Sequence, residues 1–231
     1  MSHGPLVDPD TVPPWLRRLV RASAELDVSV FRTLAPFTPD PRSAAVLVLF
    51  GEDDSHGPDV LLQRRAAGDD THSGQVSFPG GSAEAGDDGP VATALREAVE
   101  ETGLDPAGVR PLAVLPELHI PVSRFEVTPV LAHWERPSVV RAVDPAESSA
   151  VARVPLETLT EPANRFMVRH PSGFLGPAFA APGMLVWGFT AGVLTLAFAA
   201  AGWERPWDHE DVRDLGVAWR AIDAGDGGPT T

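Results

Sequence analysis

The chain contains no cysteine and no lysine. The first absence excludes disulfides, thiolate metal sites and cysteine nucleophiles. The second leaves arginine as the source of all 18 basic side chains, set against 32 acidic ones for a formal net charge of -14. With no basic run anywhere, such a field repels nucleic acid and anionic membrane surfaces. An anionic small molecule is not excluded, because a bound cation can reverse the potential locally. Residues 1–14 also lack a basic start followed by an apolar stretch, which argues against a signal peptide and for a cytoplasmic protein. One uncharged stretch, residues 177–202, has the length of a membrane span. Gly183, Gly188 and Gly192 dilute it and no basic cluster flanks it, so a buried strand or loop leading into a core helix is expected instead.

What is present describes one soluble core with decorations: 231 residues, 43% hydrophobic and 22% charged, is too apolar for a disordered chain. The 24 prolines and 21 glycines predict many loops. Behind Pro13 and Pro14, apolar residues at helical spacing from Trp15 to Val20 predict a helix that ends before Asp27. A Pro-rich connector at 36–41 follows, then a hairpin from the apolar runs 44–50 and 59–63. A Gly-rich stretch at 74–89 leads into a helix over 90–102, with Pro90 near its first turn and Gly103 as its stop. Strands are expected at 109–118, 125–134 and 151–154, a short helix at 155–159 and a last apolar helix at 185–201. Together these predict an α/β (α+β) fold in which helices cover a mixed sheet. In domain terms, 1–42 is an N-terminal helix and connector, 43–203 the main domain, and 204–231 a polar tail, partly disordered. Trp15, Trp203, Trp207 and Trp219 are expected at the periphery.

The helix over 90–102 breaks two local rules. At about 100° per residue, Val91, Leu95, Ala98, Val99 and Thr102 form one side, and Glu97, Glu100 and Glu101 the other. Like charges at i, i+3 and i+4 repel, and two of the three acids sit in the last turn, where the helix dipole favours cations. A hard divalent cation would repair both faults, since carboxylate oxygens are its preferred ligands. The plain alternative is a solvated acidic face partly neutralised by Arg96. In front of the helix, Phe78-Pro79-Gly80-Gly81 is a tight turn whose paired glycines allow close backbone approach, so that a backbone carbonyl can join the carboxylates as a ligand.

Gly80-Gly81, the acidic linker with Glu84, Asp87 and Asp88, and Arg96-Glu97-x-x-Glu100-Glu101-x-Gly103-Leu104 resemble the Nudix box. The spacing from Gly81 to Arg96 is one residue longer than in the commonest box, with Asp88 where a Glu is expected; the longer spacing is similar to that of the coenzyme A diphosphatase branch. Leu61-Leu62-Gln63-Arg64-Arg65-Ala66, the run from His72 to Gly81, and Trp187-Gly188-Phe189-Thr190-Ala191 resemble that branch too. Two positions depart from it: Gln63 stands for a usual Thr and Asp70 for a usual Arg.

The resemblance implies a Nudix-type α/β/α sandwich and a hydrolase that cleaves a pyrophosphate bond with Mg2+ or Mn2+. It implies Glu97 and Glu101 as metal ligands, Glu100 as a further ligand or partner, the Gly80 carbonyl completing the set, and Arg96 orienting the carboxylates. Arg64, Arg65, His72 and Gly81 are the candidates for substrate binding, and Glu147 for an additional base or ligand. His119 and His133 lack metal-pair spacing and are read as structural. Coenzyme A or an acyl derivative is the first substrate expected. A nucleotide derivative such as ADP-ribose, a dinucleotide or a nucleoside triphosphate is the alternative within the class, and a nucleotide-binding module without catalysis, or a membrane-anchored protein, lies outside it. The expected partner is a small nucleotide derivative, with no nucleic acid and no membrane; a homodimer is left open.

Overall fold

The structure is a computed structural model that describes residues 3–26, 41–66, 74–120 and 125–225. A two-residue strand, β1 (Gly4–Pro5), and a helix, α1 (Pro14–Ala22), open the fold. The two apolar runs expected as a hairpin become long strands, β2 (Arg42–Asp53) and β3 (Gly57–Arg65). They pair with each other only from Phe50↔Val60 to Asp53↔Gly57. Farther from the turn they diverge, and the gap is filled by β4 (Val76–Ser77) against Gln63 and Arg64 and by β5 (Gly80–Ser82) against residues 44–46 of β2. The Gly80-Gly81 pair is thereby set into a split in the sheet. A Cβ on Gly80 would come within 2.4 Å of the Ala45 carbonyl oxygen, so only glycine fits there.

Helix α2 (Gly89–Thr102) lies over that split and ends at Gly103, whose left-handed φ of 68° and N–H donated to the Val99 carbonyl give the expected stop. The strands β6 (Val109–Val114), β7 (Leu118–Ile120), β8 (Phe125–Trp134) and β9 (Ser148–Pro155) complete the larger sheet. Its order is β1-β6-β8-β2-β3-β4, with β9 on β3 and β7 on β8. The β2–β8 pairing is parallel over Arg42↔Phe125 to Phe50↔His133 while the other pairings are antiparallel, which makes the sheet mixed as expected.

Alternation along the strands builds two apolar layers. Ala45, Leu47, Leu49, Leu61, Val130 and Ala132 pack under Ala94 and Ala98 of α2. Val48, Phe50, Val60, Leu62 and Leu131 face the other way, toward α1 and a long helix, α4 (Gly188–Ala201), which follows the short α3 (Leu156–Thr160). The result is an α/β/α sandwich. Fully burying a leucine such as Leu47 or Leu194 contributes roughly 1.5–3 kcal/mol, and the two alanines let α2 approach the sheet closely.

A second, smaller sheet was not foreseen in the sequence. It has the order β12-β11-β10-β13, from β10 (Arg165–Arg169), β11 (Leu175–Ala181), β12 (Met184–Val186) and β13 (Val212–Asp214). Helix α5 (Leu215–Asp223) covers it, burying Leu215, Ala218 and Ile222 against Phe166, Val168 and Leu185. The polar tail expected from Glu204 onward is therefore corrected: residues 212–223 form a strand and a helix, whose N-terminus is capped by Asp214 accepting from the N–H groups of Gly216 and Val217. The signal lay in that Asp and in the Leu215, Ala218, Ile222 spacing, masked by the polar residues before it. The apolar run 177–202 divides between β11, β12 and α4, and no helix among the described residues is long and apolar enough to cross a membrane. Trp15 and Trp203 pack into the layer beside α4 at 5.6 Å from each other, with Phe50 at 5.5 Å from Trp203, and are not peripheral.

Candidate active site

The wheel placed Glu97, Glu100 and Glu101 together, opposite the core. The structure corrects this: the buried face of α2 is turned by roughly 60° at 100° per residue, so that Thr93, Ala94, Ala98 and Thr102 are its buried residues and Glu97 and Glu101 are drawn in beside them. Glu100 alone remains well exposed, at 58% of its side chain. The glycine pair in β5 permits this rotation. A Cβ on Gly81 would lie 2.5 Å from the Glu97 carboxyl carbon, and the Gly80 N–H donates to Glu101 Oε2 at 2.8 Å.

Glu101 is held by a second donor. Gln63 Nε2, on β3, donates to the same oxygen at 2.7 Å, and the Gln63 side-chain carbonyl accepts from Ser148 Oγ at 3.2 Å. Both Gln63 and Ser148 are buried. Burial pushes the Glu101 carboxyl up to about 7; the two hydrogen bonds and the Arg65 charge oppose the shift, and the neighbouring Glu97 adds to it. Burial also raises Glu97, against the opposing charge and hydrogen bond of Arg96.

Arg96 is the hub on the outer side. Its guanidinium donates to Glu97 Oε1 at 3.1 Å, to Glu100 Oε2 at 3.0 Å and to the Ser82 carbonyl at 2.9 Å. Asp87 fixes it from behind through a bidentate pair, Nε to Oδ1 at 3.0 Å and a terminal nitrogen to Oδ2 at 3.1 Å. Thr93 Oγ1 and the Glu84 N–H also donate to Asp87. The Arg96 hydrogen bonds hold the Asp87 carboxyl well below the usual range, and Asp87 in turn raises Arg96. Asp87 had been read only as part of an acidic linker; its distance from Arg96 along the chain gives no helical or strand periodicity to find it by.

The other candidates separate. Along β3, Leu61 and Gln63 face α2 while Val60 and Leu62 face α4; the pairing with β9 shifts register between Arg64 and Arg65, so alternation does not carry on to Arg65, whose charge nevertheless acts on Glu101. Arg64 donates to the Gly183 carbonyl at 3.3 Å and pairs with Asp223 of α5 at 3.2 Å. Glu147 is exposed, and its backbone carbonyl accepts from the Ala66 N–H at 2.9 Å, next to Ser148 at the start of β9. His72 and Asp70 lie outside the described residues. His133 sits beside Trp15 at 6.3 Å, and the acids that act on it are Glu135 and Glu52, not those of α2.

Among the described residues, no group of three or more His, Asp or Glu side chains converges as a ready-made metal cage. Arg96 occupies the position between Glu97 and Glu100, and Glu101 is turned to Gly80 and Gln63. The donor chemistry nevertheless fits a hard divalent cation: two carboxylates withdrawn from water, one of them raised by the other, backed by an exposed third within reach of the same arginine.

The NUDIX domain matches residues 40–171 of this chain, and the chain belongs to the Nudix family. It is 35% identical over 182 residues to Nudix hydrolase 22, chloroplastic, of Arabidopsis thaliana, covering 75% of this chain and 60% of that protein. To Nudix hydrolase 15, mitochondrial, of the same plant it is 33% identical, covering 75% of this chain and 65% of the other. The chain thus spans somewhat under two thirds of the length of these relatives. Over a shorter stretch of 74 residues, 32% of this chain and 38% of that protein, it is 51% identical to the uncharacterized Nudix hydrolase NudL of Pectobacterium atrosepticum.

Proposed function

We propose that the chain hydrolyses a pyrophosphate bond in a nucleotide derivative, with coenzyme A or an acyl-coenzyme A as the substrate class. The observation that carries this reading is the pair of desolvated carboxylates, Glu97 and Glu101, pressed against the Gly80-Gly81 strand and backed by an arginine that Asp87 holds in place. Acids buried side by side repel one another, and two that converge beside a backbone glycine pair suit a cation.

In this reading Glu97, Glu101 and the Gly80 carbonyl would hold Mg2+ or Mn2+, with Glu100, held by Arg96, as a further partner. The ion, when bound, offsets the charge of the phosphate oxygens and favours ionisation of water. Arg96, anchored by Asp87, keeps Glu97 and Glu100 in register. Gln63 and Ser148 fix the Glu101 carboxylate from the β3 side. A water oxygen forms a new bond to one phosphorus, the bridging P–O bond breaks toward the other phosphate, and the water's proton passes to a carboxylate, for which the exposed Glu100 and Glu147 are the candidates. Arg65, whose charge acts on Glu101, and the Gly81 backbone would meet the phosphates, with His72 a further contact. A cytoplasmic protein acting on a small molecule, with no nucleic acid or membrane partner, is the setting that the acidic charge favours.

Product identification tests the reading. Incubation with coenzyme A and Mg2+ or Mn2+ should release 4′-phosphopantetheine and adenosine 3′,5′-bisphosphate. Turnover of ADP-ribose, dinucleotides or nucleoside triphosphates with none of coenzyme A would keep the hydrolase and remove the substrate; no turnover of any of them would remove both.

A further inference from the structure

Gly80 and Gly81 close a glycine-rich segment that enters the larger sheet at Gly74. From within the sheet, β4 pairs with Gln63 and Arg64, and the Gln75 carbonyl accepts from the Arg65 N–H at 2.9 Å. On the other flank the contacts come from beyond residue 171, where the matched NUDIX domain ends. Val76 and Phe78 are buried in one apolar cluster with Met184 and Val186 of β12. Thr190 of α4, itself buried, donates from Oγ1 to the Val76 carbonyl at 3.0 Å. Trp219 of α5 lies against Gly74 itself.

That last contact leaves no spare room. A Cβ on Gly74 would stand 3.0 Å from Trp219 Cζ2, and the three atoms nearest to it all belong to that indole. Gly74 has a left-handed φ of 72°, which glycine adopts without strain and, having no side chain, can also leave easily. The neighbouring ring therefore limits the backbone at this point, because an indole presents a large, rigid apolar face. Helix α5 is fixed on both sides of the ring. Leu215, one turn earlier, is buried in the core of the second sheet, and Asp223, one turn later, meets Arg64 of β3 at 3.2 Å. Spacing of four puts the three residues along one face of the helix, so Trp219 reaches Gly74 from an anchored position.

At the other end of the segment the Gly80 N–H donates to Glu101 at 2.8 Å. We propose that Trp219 is a positioning residue for the active site: from the second sheet it seats the Gly74 end of the segment, and so sets where the Gly80 backbone stands beside Glu101. The inference rests on the reading of Glu97, Glu101 and Gly80 as a cation site. It gives α5, which lies outside the matched residues 40–171, a part in building that site.

Amide hydrogen exchange of the whole metal-free chain tests the seating without turnover, and calorimetric titration with Mn2+ tests its consequence. Trp219→Leu keeps an apolar side chain on the second sheet but removes the ring; residues 75–81 should then exchange about threefold to tenfold faster, while β6 stays unchanged. Mn2+ should bind that variant about threefold to tenfold more weakly. Trp219→Phe restores a ring and should return both quantities most of the way to wild type. If Trp219→Leu does not fold, judged by its melting curve, Asp223→Asn decides: it frees the end of α5 from β3 without removing apolar surface and should speed exchange in residues 75–81 by about twofold. Exchange that rises only in β10, β11 and β12, or nowhere, would overturn the proposal, because Trp219 would then support its own sheet alone. A Trp219→Leu variant that binds Mn2+ as tightly as the wild type would overturn it too. Faster exchange in residues 75–81 of a protein that binds no Mn2+ in any form would leave the seating standing and remove the cation reading.

Discussion

Glu101→Gln should make the metal-free protein more stable at neutral pH while removing its turnover. The Glu101 carboxyl is raised to about 7 in the folded chain from 4.5. Between those values the folded state keeps a proton that the unfolded state has given up, so stability falls as pH rises, by up to about 1.4 kcal/mol per unit. Below the lower value both states are protonated and nothing is lost; above the upper one the loss is complete, at about 3 kcal/mol. Glutamine is neutral throughout, and its carbonyl can accept from the Gly80 N–H and Gln63 Nε2 as the carboxylate oxygen does at 2.8 and 2.7 Å. The assay is urea denaturation of both proteins in EDTA from about pH 5 to about pH 8. The quantity to follow is variant minus wild type, which cancels the other titrating groups; it should climb by about 2 kcal/mol over that range. A flat difference, or one that falls with pH, would mean that Glu101 is not a desolvated acid in the folded chain, and the argument for a cation site beside it would fail.

Millimolar Mg2+ or Mn2+ should raise the melting temperature relative to EDTA, because only the folded state assembles Glu97, Glu101 and the Gly80 strand; identical melts, with activity indifferent to chelator, would count against a resident cation. Glu97→Gln should lower turnover by orders of magnitude with the fold intact by circular dichroism, and near-wild-type rates would displace it from the site. Gly81→Ala puts a methyl group 2.5 Å from the Glu97 carboxyl carbon, so turnover should drop at least about tenfold, whereas an unchanged rate would show that Glu97 can move away freely. Asp87→Ala releases Arg96 from its bidentate anchor; kcat should fall by about tenfold or more with KM little altered, and the reverse split would assign Asp87 to substrate binding.

Much was legible locally. The helix over residues 90–102, its stop at Gly103, the glycine pair before it and the three glutamates at its end are all encoded within about 25 consecutive residues, and short-range chemistry decides them. The hairpin and the strands at 125–134 and 151–154 followed from apolar runs between turn residues. Tertiary structure decided the remainder. The rotation of α2 depends on where β5 enters the split between β2 and β3, which no periodicity within the helix encodes. Gln63 meets Glu101 across 38 positions and Arg64 meets Asp223 across 159, contacts that only the stacking of layers can bring about. The sequence by itself determined which groups could bind a cation and a phosphate. Packing determined which carboxylates lose their water, because desolvation is a property of the neighbours a side chain is pressed against and not of its place in the chain.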